Sequence, residues 1–189
     1  MNVQHNVMNY VVYNEDWRAE EIVTEILNDF LKYVVSDVVV VCIGTDLVTG
    51  DSYGPLVGTL LKQKNISQVT VYGTLEDPVH ALNIEKTIQQ VESVHPFSFI
   101  ICVDASLGKK ENIGALNLIN RPLQPGAGVG KDLPSIGHCS IKGIVNVSGK
   151  QEFHVLQNTR LHLVWKLAEL TVASLSKALS GFAKMKDIN

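Results

Sequence analysis

The sequence predicts a single α/β domain with three layers, α/β/α, around a mostly parallel sheet. Apolar runs of strand length alternate with amphipathic stretches of helix length, which is typical of βαβ units. The run Val38–Ile43 contains only apolar side chains, as expected for a strand that is covered on both faces. The length of 189 residues supports one sizeable core, and no linker or internal repeat divides the chain. We therefore expect residues 1–189 to form one domain.

The first helix and the first loop follow from local signals. Residues 16–35 have the apolar spacing of an amphipathic helix, and Asp16 is placed to cap it. Residues 1–15 are expected to be an N-terminal extension that is poorly ordered. After the apolar run comes the loop Gly44–Gly54, and Pro55 suits the first position of the next helix.

The cycle of strand and helix then repeats. Gln68–Tyr72 is predicted to be a strand, and Asp77-Pro78 is predicted to start the following helix, with His80 in its first turn. Phe97–Val103 is a further apolar run that we expect to end on Asp104.

The second half of the chain is less regular. Ala115–Ile119 is predicted to be a short strand, and Ser140–Val147 a longer one. Between them, Arg121–Gly137 carries three prolines and four glycines, which predicts a long irregular loop. Loops of this length are uncommon in compact domains and are often functional. Asn158 is expected to cap a long closing helix.

Composition and charge exclude several classes of protein. The formal net charge is −3, the pI is about 6.0 and no block of basic residues occurs, which argues against a nucleic-acid partner. No apolar stretch reaches the roughly 18 residues of a membrane span. The N-terminus lacks the basic and apolar regions of a secretory signal, so we expect a cytoplasmic protein. Cys42, Cys102 and Cys139 show no C-x-x-C spacing and are expected to be buried thiols.

Acidic residues follow the predicted strands where ligands bind in open α/β sheets, beyond the carboxyl ends. Asp46 and Asp51 follow the first parallel strand, His80 follows the second, and Asp104 ends the third. Two carboxyl groups in close proximity do not both ionise readily, so one keeps a proton while the other stays charged. Such a pair can activate water and donate a proton, whereas carboxylates together with a histidine can bind a divalent metal.

Structural interpretations compete with these chemical ones. Asp51 is close enough to Pro55 to cap that helix, Asp46 suits a turn, and His80 suits a solvated helix start. Neither a G-x-G-x-x-G nor a G-x-x-x-x-G-K-[ST] motif is present, so no nucleotide fingerprint occurs. In the long loop, Gly126, Gly128 and Gly130 have the spacing to wrap backbone amides around an anion, but this pattern alone is a weak signal.

Five motifs follow one another along the chain: Ile43–Val57, Pro78–Asn83, Val103–Ala105, Pro125–Gly130 and Leu156–Leu161. Taken in order, they resemble the YyaC family of sporulation proteins of endospore-forming bacteria, which are also described as spore proteases. The resemblance runs from about Asp37 to the end of the closing helix.

That family is similar to the germination protease, which degrades small acid-soluble spore proteins, and more distantly to hydrogenase maturation proteases. In the germination protease, one aspartate lies in a loop that ends Asp-x-x-Gly-Pro and a second follows a strand as Asp-Ala. Asp51 and Asp104 match these two positions, and Gly126–Gly130 resembles a glycine loop found there. The resemblance therefore implies a germination-protease-like, phosphorylase/hydrolase-like fold with Asp51 and Asp104 as catalytic residues. It leaves Asp46, His80 and the three loop glycines as supporting or substrate-binding residues.

In hydrogenase maturation proteases, the corresponding acids bind the metal of the precursor together with a histidine. His138 precedes the strand Ser140–Val147, so a parallel strand would place it at the edge opposite the acids, and His80 is better placed. We expect that no cofactor is required, with a divalent metal at Asp51 and Asp104 as the lesser alternative.

Two functions remain open at this point. The first is a peptidase of sporulation or germination in which an aspartate pair activates water to cleave a peptide or protein, such as a small spore protein. The second is a non-catalytic sporulation protein that uses the same cleft to bind a ligand, metal or partner. The chain is much shorter than germination protease and has no evident propeptide, so the resemblance transfers the fold and two aspartates more safely than the activity.

Overall fold

The structure is a computed structural model that describes residues 7–124 and 135–188. Within these residues the chain forms six strands and five α-helices. The strands are β1 (Asn9–Tyr13), β2 (Val38–Cys42), β3 (Val69–Tyr72), β4 (Phe99–Gly108), β5 (Ala115–Ile119) and β6 (Cys139–Val147). The helices are α1 (Ala19–Leu31), α2 (Tyr53–Lys62), α3 (Ile84–Val94), α4 (Glu152–Gln157) and α5 (Leu161–Ile188). A short 3₁₀ turn, Thr49–Ser52, precedes α2.

The strands form one sheet in the order β1-β5-β6-β4-β2-β3. Strands β6, β4, β2 and β3 are parallel neighbours, while β5 runs antiparallel to both β6 and β1. The mostly parallel sheet predicted from the alternation of strands and helices is confirmed.

Helices cover both faces of the sheet, which confirms the three layers. Alternate residues of β2, Val38 and Val40, pack in the core formed with α1, α2 and α5. Val39 and Val41 face the other way and pack against α3 and the segments around Leu123 and Ile136. This explains why the whole strand is apolar, since both of its faces are buried. None of the described helices combines the length and the hydropathy needed to cross a bilayer.

The N-terminal segment differs from the prediction. Within the expected extension 1–15, residues 9–13 form β1, an edge strand whose Val12 is buried. The first helix spans Ala19–Leu31 rather than 16–35. Asp16 does not cap it, because its carboxylate accepts the backbone N–H of Arg18 (2.9 Å) in the turn that precedes the helix. Neighbouring β5 supplies the hydrogen bonds that order β1, and this partner is remote in sequence.

Three further boundaries were predicted wrongly. Strand β4 does not end on Asp104 but continues to Gly108, because β6 pairs with it beyond the end of β2. Helix α3 begins at Ile84, so His80 lies in the loop before it rather than in its first turn. Asn158 ends the short helix α4, where its side-chain amide donates to the carbonyl of His154 (2.8 Å), and does not cap α5.

Candidate active site

A crevice is expected where the connections on either side of a strand lead in opposite directions. From β2 the chain passes through α2 to β3 on one side, and it returns through α3 to β4 on the other. Helices α2 and α3 accordingly lie on opposite faces of the sheet. The carboxyl ends of β2 and β4 therefore border the switch point.

Asp51 is held at this edge by the loop that follows β2. Its Oδ2 accepts the backbone N–H of Thr45 (3.0 Å), which closes the loop on itself. Gly44 has a φ of +139°, and a Cβ there would overlap the carbonyl oxygen of Asp51, so only glycine allows this close approach. Helix α2 has no side-chain cap, and the capping interpretation of Asp51 is wrong.

Asp104 lies on β4, one residue beyond the pairing of Val103 with the last residue of β2. Burial of its carboxyl group, followed by the charge of Asp51, raises its pKa to about 7. Lys142 and a hydrogen bond from the backbone of Ala105 act in the opposite direction. Near neutral pH, Asp104 is therefore poised between its protonated and ionised forms.

The surroundings of Asp51 differ from those of Asp104. Burial is again the largest cause and raises the pKa of Asp51, while the N–H of Thr45 and the nearby His80 both act to lower it. The carboxylate of Asp51 is thus supported by the N–H of Thr45 and by His80, whereas the pKa of Asp104 is about 7. The arrangement favours a proton on Asp104 and a negative charge on Asp51.

His80 reaches the site through an extension of the sheet beyond β2 and β3. Val79 forms a parallel bridge with Ile43, and its carbonyl accepts the N–H of Gly44 (2.8 Å). This pairing brings the following residue, His80, to the edge that carries Asp51. The Nδ1 atom of His80 accepts the N–H of Leu82 (3.3 Å), which orients the ring.

Helix α4 packs against the 3₁₀ turn that carries Asp51. A Cβ added at Gly50 would lie 2.8 Å from Cδ2 of Leu156 and 2.9 Å from Oγ1 of Thr159. The side-chain amide of Asn146, near the end of β6, donates to Oγ1 of Thr159 (3.1 Å) and so connects the segment after α4 to the sheet. The turn is thereby clamped between β6 and the helix that follows it.

The sequence pattern of the family described as "Protein of unknown function (DUF1256)" matches residues 10–174. The chain belongs to this family. It is 47% identical over 173 residues to the uncharacterized protein YyaC of Bacillus subtilis (strain 168), covering 92% of this chain and 84% of that protein.

Among solved structures, this DUF1256 member resembles the [NiFe] hydrogenase maturation protease HycI from Thermococcus kodakarensis KOD1. The TM-score is 0.57 and the identity 16%, and the match covers 82% of this chain and 99% of that one. At this identity the likeness concerns the fold. Two predictions are confirmed: the sequence relationship to YyaC and the similarity in fold to hydrogenase maturation proteases.

Other residues of the DUF1256 chain that the sequence singled out lie elsewhere. His138 is at the opposite edge, as expected, where its Nδ1 accepts the N–H of Ile100 (2.9 Å) and its ring stacks on Phe99. Asp46 is exposed in the loop that carries Asp51. The loop glycines lie outside the described residues: Gly126, Gly128 and Gly130.

Among the described residues, neither the cysteine thiols nor a cluster of metal ligands forms a further candidate site. Cys42, Cys102 and Cys139 are buried, and burial raises the pKa of the Cys139 thiol to about 12. Within 7–124 and 135–188, no group of three His, Cys, Asp or Glu side chains is arranged to hold a metal ion.

Two residues of the DUF1256 site were missed from the sequence. Tyr53 is fully buried beside the 3₁₀ turn, its hydroxyl lies 2.7 Å from Oγ1 of Thr171, and the charge of Asp104 acts on it. Lys142 is the register partner of Asp104 on β6. A lysine within the apolar strand Ser140–Val147 was the available signal for the second residue.

Proposed function

We propose that this protein is an aspartate-dependent peptidase that cleaves a peptide or protein substrate during sporulation or germination. The observation that carries the proposal is the unequal pair Asp51 and Asp104 at the switch point. Burial and the charge of Asp51 raise the pKa of Asp104 to about 7, while Thr45 and His80 support the charge of Asp51. Two carboxyl groups whose surroundings separate their pKa values are suited to act as acid and base.

In the proposed reaction, ionised Asp51 takes a proton from water as the water oxygen attacks the scissile carbonyl carbon. Protonated Asp104 donates its proton to the carbonyl oxygen, giving a neutral tetrahedral intermediate. When the intermediate collapses, the C–N bond breaks and the leaving nitrogen receives a proton from Asp51. The hydroxyl proton returns to Asp104, so the pair regains its starting state.

The substrate class and the cellular setting rest on the relatives. HycI is named as a hydrogenase maturation protease, which supports a protein substrate for a chain of the same fold. The motifs shared with the spore-protease-like family support a role in the cytoplasm of the sporulating cell or the spore. Small spore proteins are therefore the first substrates to test.

The decisive experiment incubates the purified protein with small acid-soluble spore proteins and follows cleavage by mass spectrometry. Asp51→Asn and Asp104→Asn should each abolish cleavage and leave the melting temperature within a few degrees, because each retains the side-chain shape. Asp29→Asn, on the exposed surface of α1, removes a carboxylate elsewhere and should cleave normally. Normal cleavage by both active-site variants contradicts the proposal. Absence of cleavage by the wild type, with a peptide still bound in the cleft, favours the binding protein instead.

A chelator separates this mechanism from a metal-dependent one. We propose that no metal is required, so dialysis against EDTA should leave the cleavage rate unchanged. Loss of activity that returns on adding a divalent cation would instead assign a metal to Asp51 and Asp104.

A further inference from the structure

Lys142 lies beside Asp104 in the sheet. The two are register partners in the parallel pair β4 and β6, and Lys142 is partly buried. Lateral neighbours in a sheet point to the same face, because the pleat alternates in step on adjacent strands. Val103 and Ala105 pack into the core on the side of α1, α2 and α5, so Asp104 points to the opposite face.

The same alternation orients Lys142. Its neighbour Ile141 belongs to the core below α5, and a Cβ on Gly143 would lie 2.9 Å from the ring of Tyr53. Lys142 therefore projects from the other face, together with Asp104. Its charge reaches Asp104, although Lys142 forms no ion pair within 4 Å among the residues that the structure describes.

A third polar residue lies beside Lys142 on the next strand, on the same face of the sheet as Asp104. Asn117 on β5 is the register partner of Lys142 on its other side, between Leu116 and Leu118, which pack into the same core as Ile141. The side-chain oxygen of Asn117 is buried and has no hydrogen-bond partner among the described residues. A buried acceptor without a partner is costly, and an ammonium group on the next strand is a suitable donor.

We propose that Lys142 is a positioning residue of this site, whose ammonium group, on the face of the sheet that it shares with Asn117 and Asp104, supports the negative charge of the Asp104 carboxylate. The inference rests on the proposed function, since the charge of Asp104 has chemical meaning only in the aspartate pair. Burial and the charge of Asp51 favour the protonated form of Asp104, and the charge of Lys142 opposes them, so that Asp104 can still release its proton.

Several charged or titratable groups lie close enough to Asp104 to interact with its charge. Asp51, after β2, opposes ionisation, and Lys142 on β6 favours it. Tyr53 on α2 and Cys102 on β4 also interact with Asp104, but burial raises the pKa of both, so both stay neutral near pH 7. Lys142 is thus the cation whose removal should change Asp104 most directly.

The test measures the pKa of the Asp104 carboxyl by NMR in protein with ¹³C-labelled aspartate, assigned with Asp104→Asn. Lys142→Met should raise this pKa by about one unit, since a nearby cation lowers an aspartate pKa by roughly one to three units. Lys142→Arg keeps the charge and should restore most of the wild-type value. Lys86→Met, on the exposed surface of α3, removes a charge elsewhere and should change nothing.

An unchanged pKa in folded Lys142→Met overturns the inference, and so does an equal shift in Lys86→Met. If Lys142→Met does not fold, Lys142→Gln is measured in its place, because it removes the charge and keeps a polar side chain. The titration needs no cleavage. A protein that shows the shift and cleaves nothing would retain the link between Lys142 and Asp104 and lose only the proposed peptidase function.

Discussion

The charge of Asp51, in the loop after β2, raises the pKa of Asp104 on the neighbouring strand β4. The two residues are 53 positions apart, and they interact because β4 continues past the end of β2 while the loop folds back on Thr45. Burial adds to the effect and brings the pKa of Asp104 to about 7. Stability, reaction rate and local packing each offer a test of this arrangement.

The stability of the protein should fall as the pH rises from about 4 to about 7. Asp104 titrates near 3.9 in the unfolded chain and at about 7 in the folded one, so folding binds a proton within that window. The contribution of Asp104 to stability is therefore fully present below the pKa of the unfolded chain, and it is lost as the pH rises through the pKa of the folded protein. Asp104→Asn should flatten this slope in urea unfolding at several pH values, whereas Asp29→Asn should keep it. A slope unchanged in Asp104→Asn would contradict the raised pKa.

The rate of peptide cleavage should decline on the alkaline side of about pH 7. Asp104 has to be protonated to donate to the carbonyl oxygen, and its pKa is about 7, so kcat/KM should fall about tenfold per pH unit above it. The measurement is the pH profile of kcat/KM for a spore-protein substrate. A rate that stays constant up to pH 9 would exclude Asp104 as the acid.

Replacement of Gly44 by alanine should displace Asp51 and reduce cleavage strongly. The added Cβ would overlap the Asp51 carbonyl oxygen, and alanine is strained at a φ of +139°. We expect a lower melting temperature and a loss of cleavage of at least about tenfold, because small misplacements of catalytic groups are costly. Gly149→Ala is the matched control, since a Cβ there meets nothing within 4 Å. Equal activity of the two variants would show that Gly44 does not position Asp51.

Tyr53→Phe should destabilise the fold modestly. Its hydroxyl lies 2.7 Å from Oγ1 of Thr171, and both residues are buried, so phenylalanine removes one buried hydrogen bond. The expected loss is about 0.5–1.5 kcal/mol of unfolding free energy, measured with urea. Tyr13→Phe removes a hydroxyl that bonds to Asn112 on the surface, and we expect a smaller loss there. A larger loss for Tyr13→Phe than for Tyr53→Phe would contradict this packing.

Much of the architecture was predictable from patterns that are local in the chain. Val38–Ile43 indicated a strand covered on both faces, and the alternation with amphipathic helices indicated a mostly parallel sheet. The rule that ligands bind beyond the carboxyl ends of strands selected Asp51 and Asp104 from their positions after apolar runs. His138 was correctly placed at the opposite edge from the direction of its strand.

Element boundaries were harder to predict because they depend on partners that are distant in sequence. Strand β4 runs on through Asp104 only because β6 pairs with it there, and β1 is ordered by β5. His80 and Asn158 each resembled a residue that starts a helix. The backbone carbonyl of His80 accepts the N–H of Ile84, where α3 begins, and both the backbone N–H and the side-chain amide of Asn158 bond to the carbonyl of His154 at the end of α4.

The sequence by itself determined the fold class and the family and selected Asp51 and Asp104 as candidates, because hydrophobic period and motif spacing are properties of neighbouring residues. The tertiary structure alone decided the register that sets Lys142 beside Asp104 and the surroundings that make Asp104 unlike Asp51. Register and burial arise when distant segments pack together, and the pKa of a carboxyl group depends on those segments.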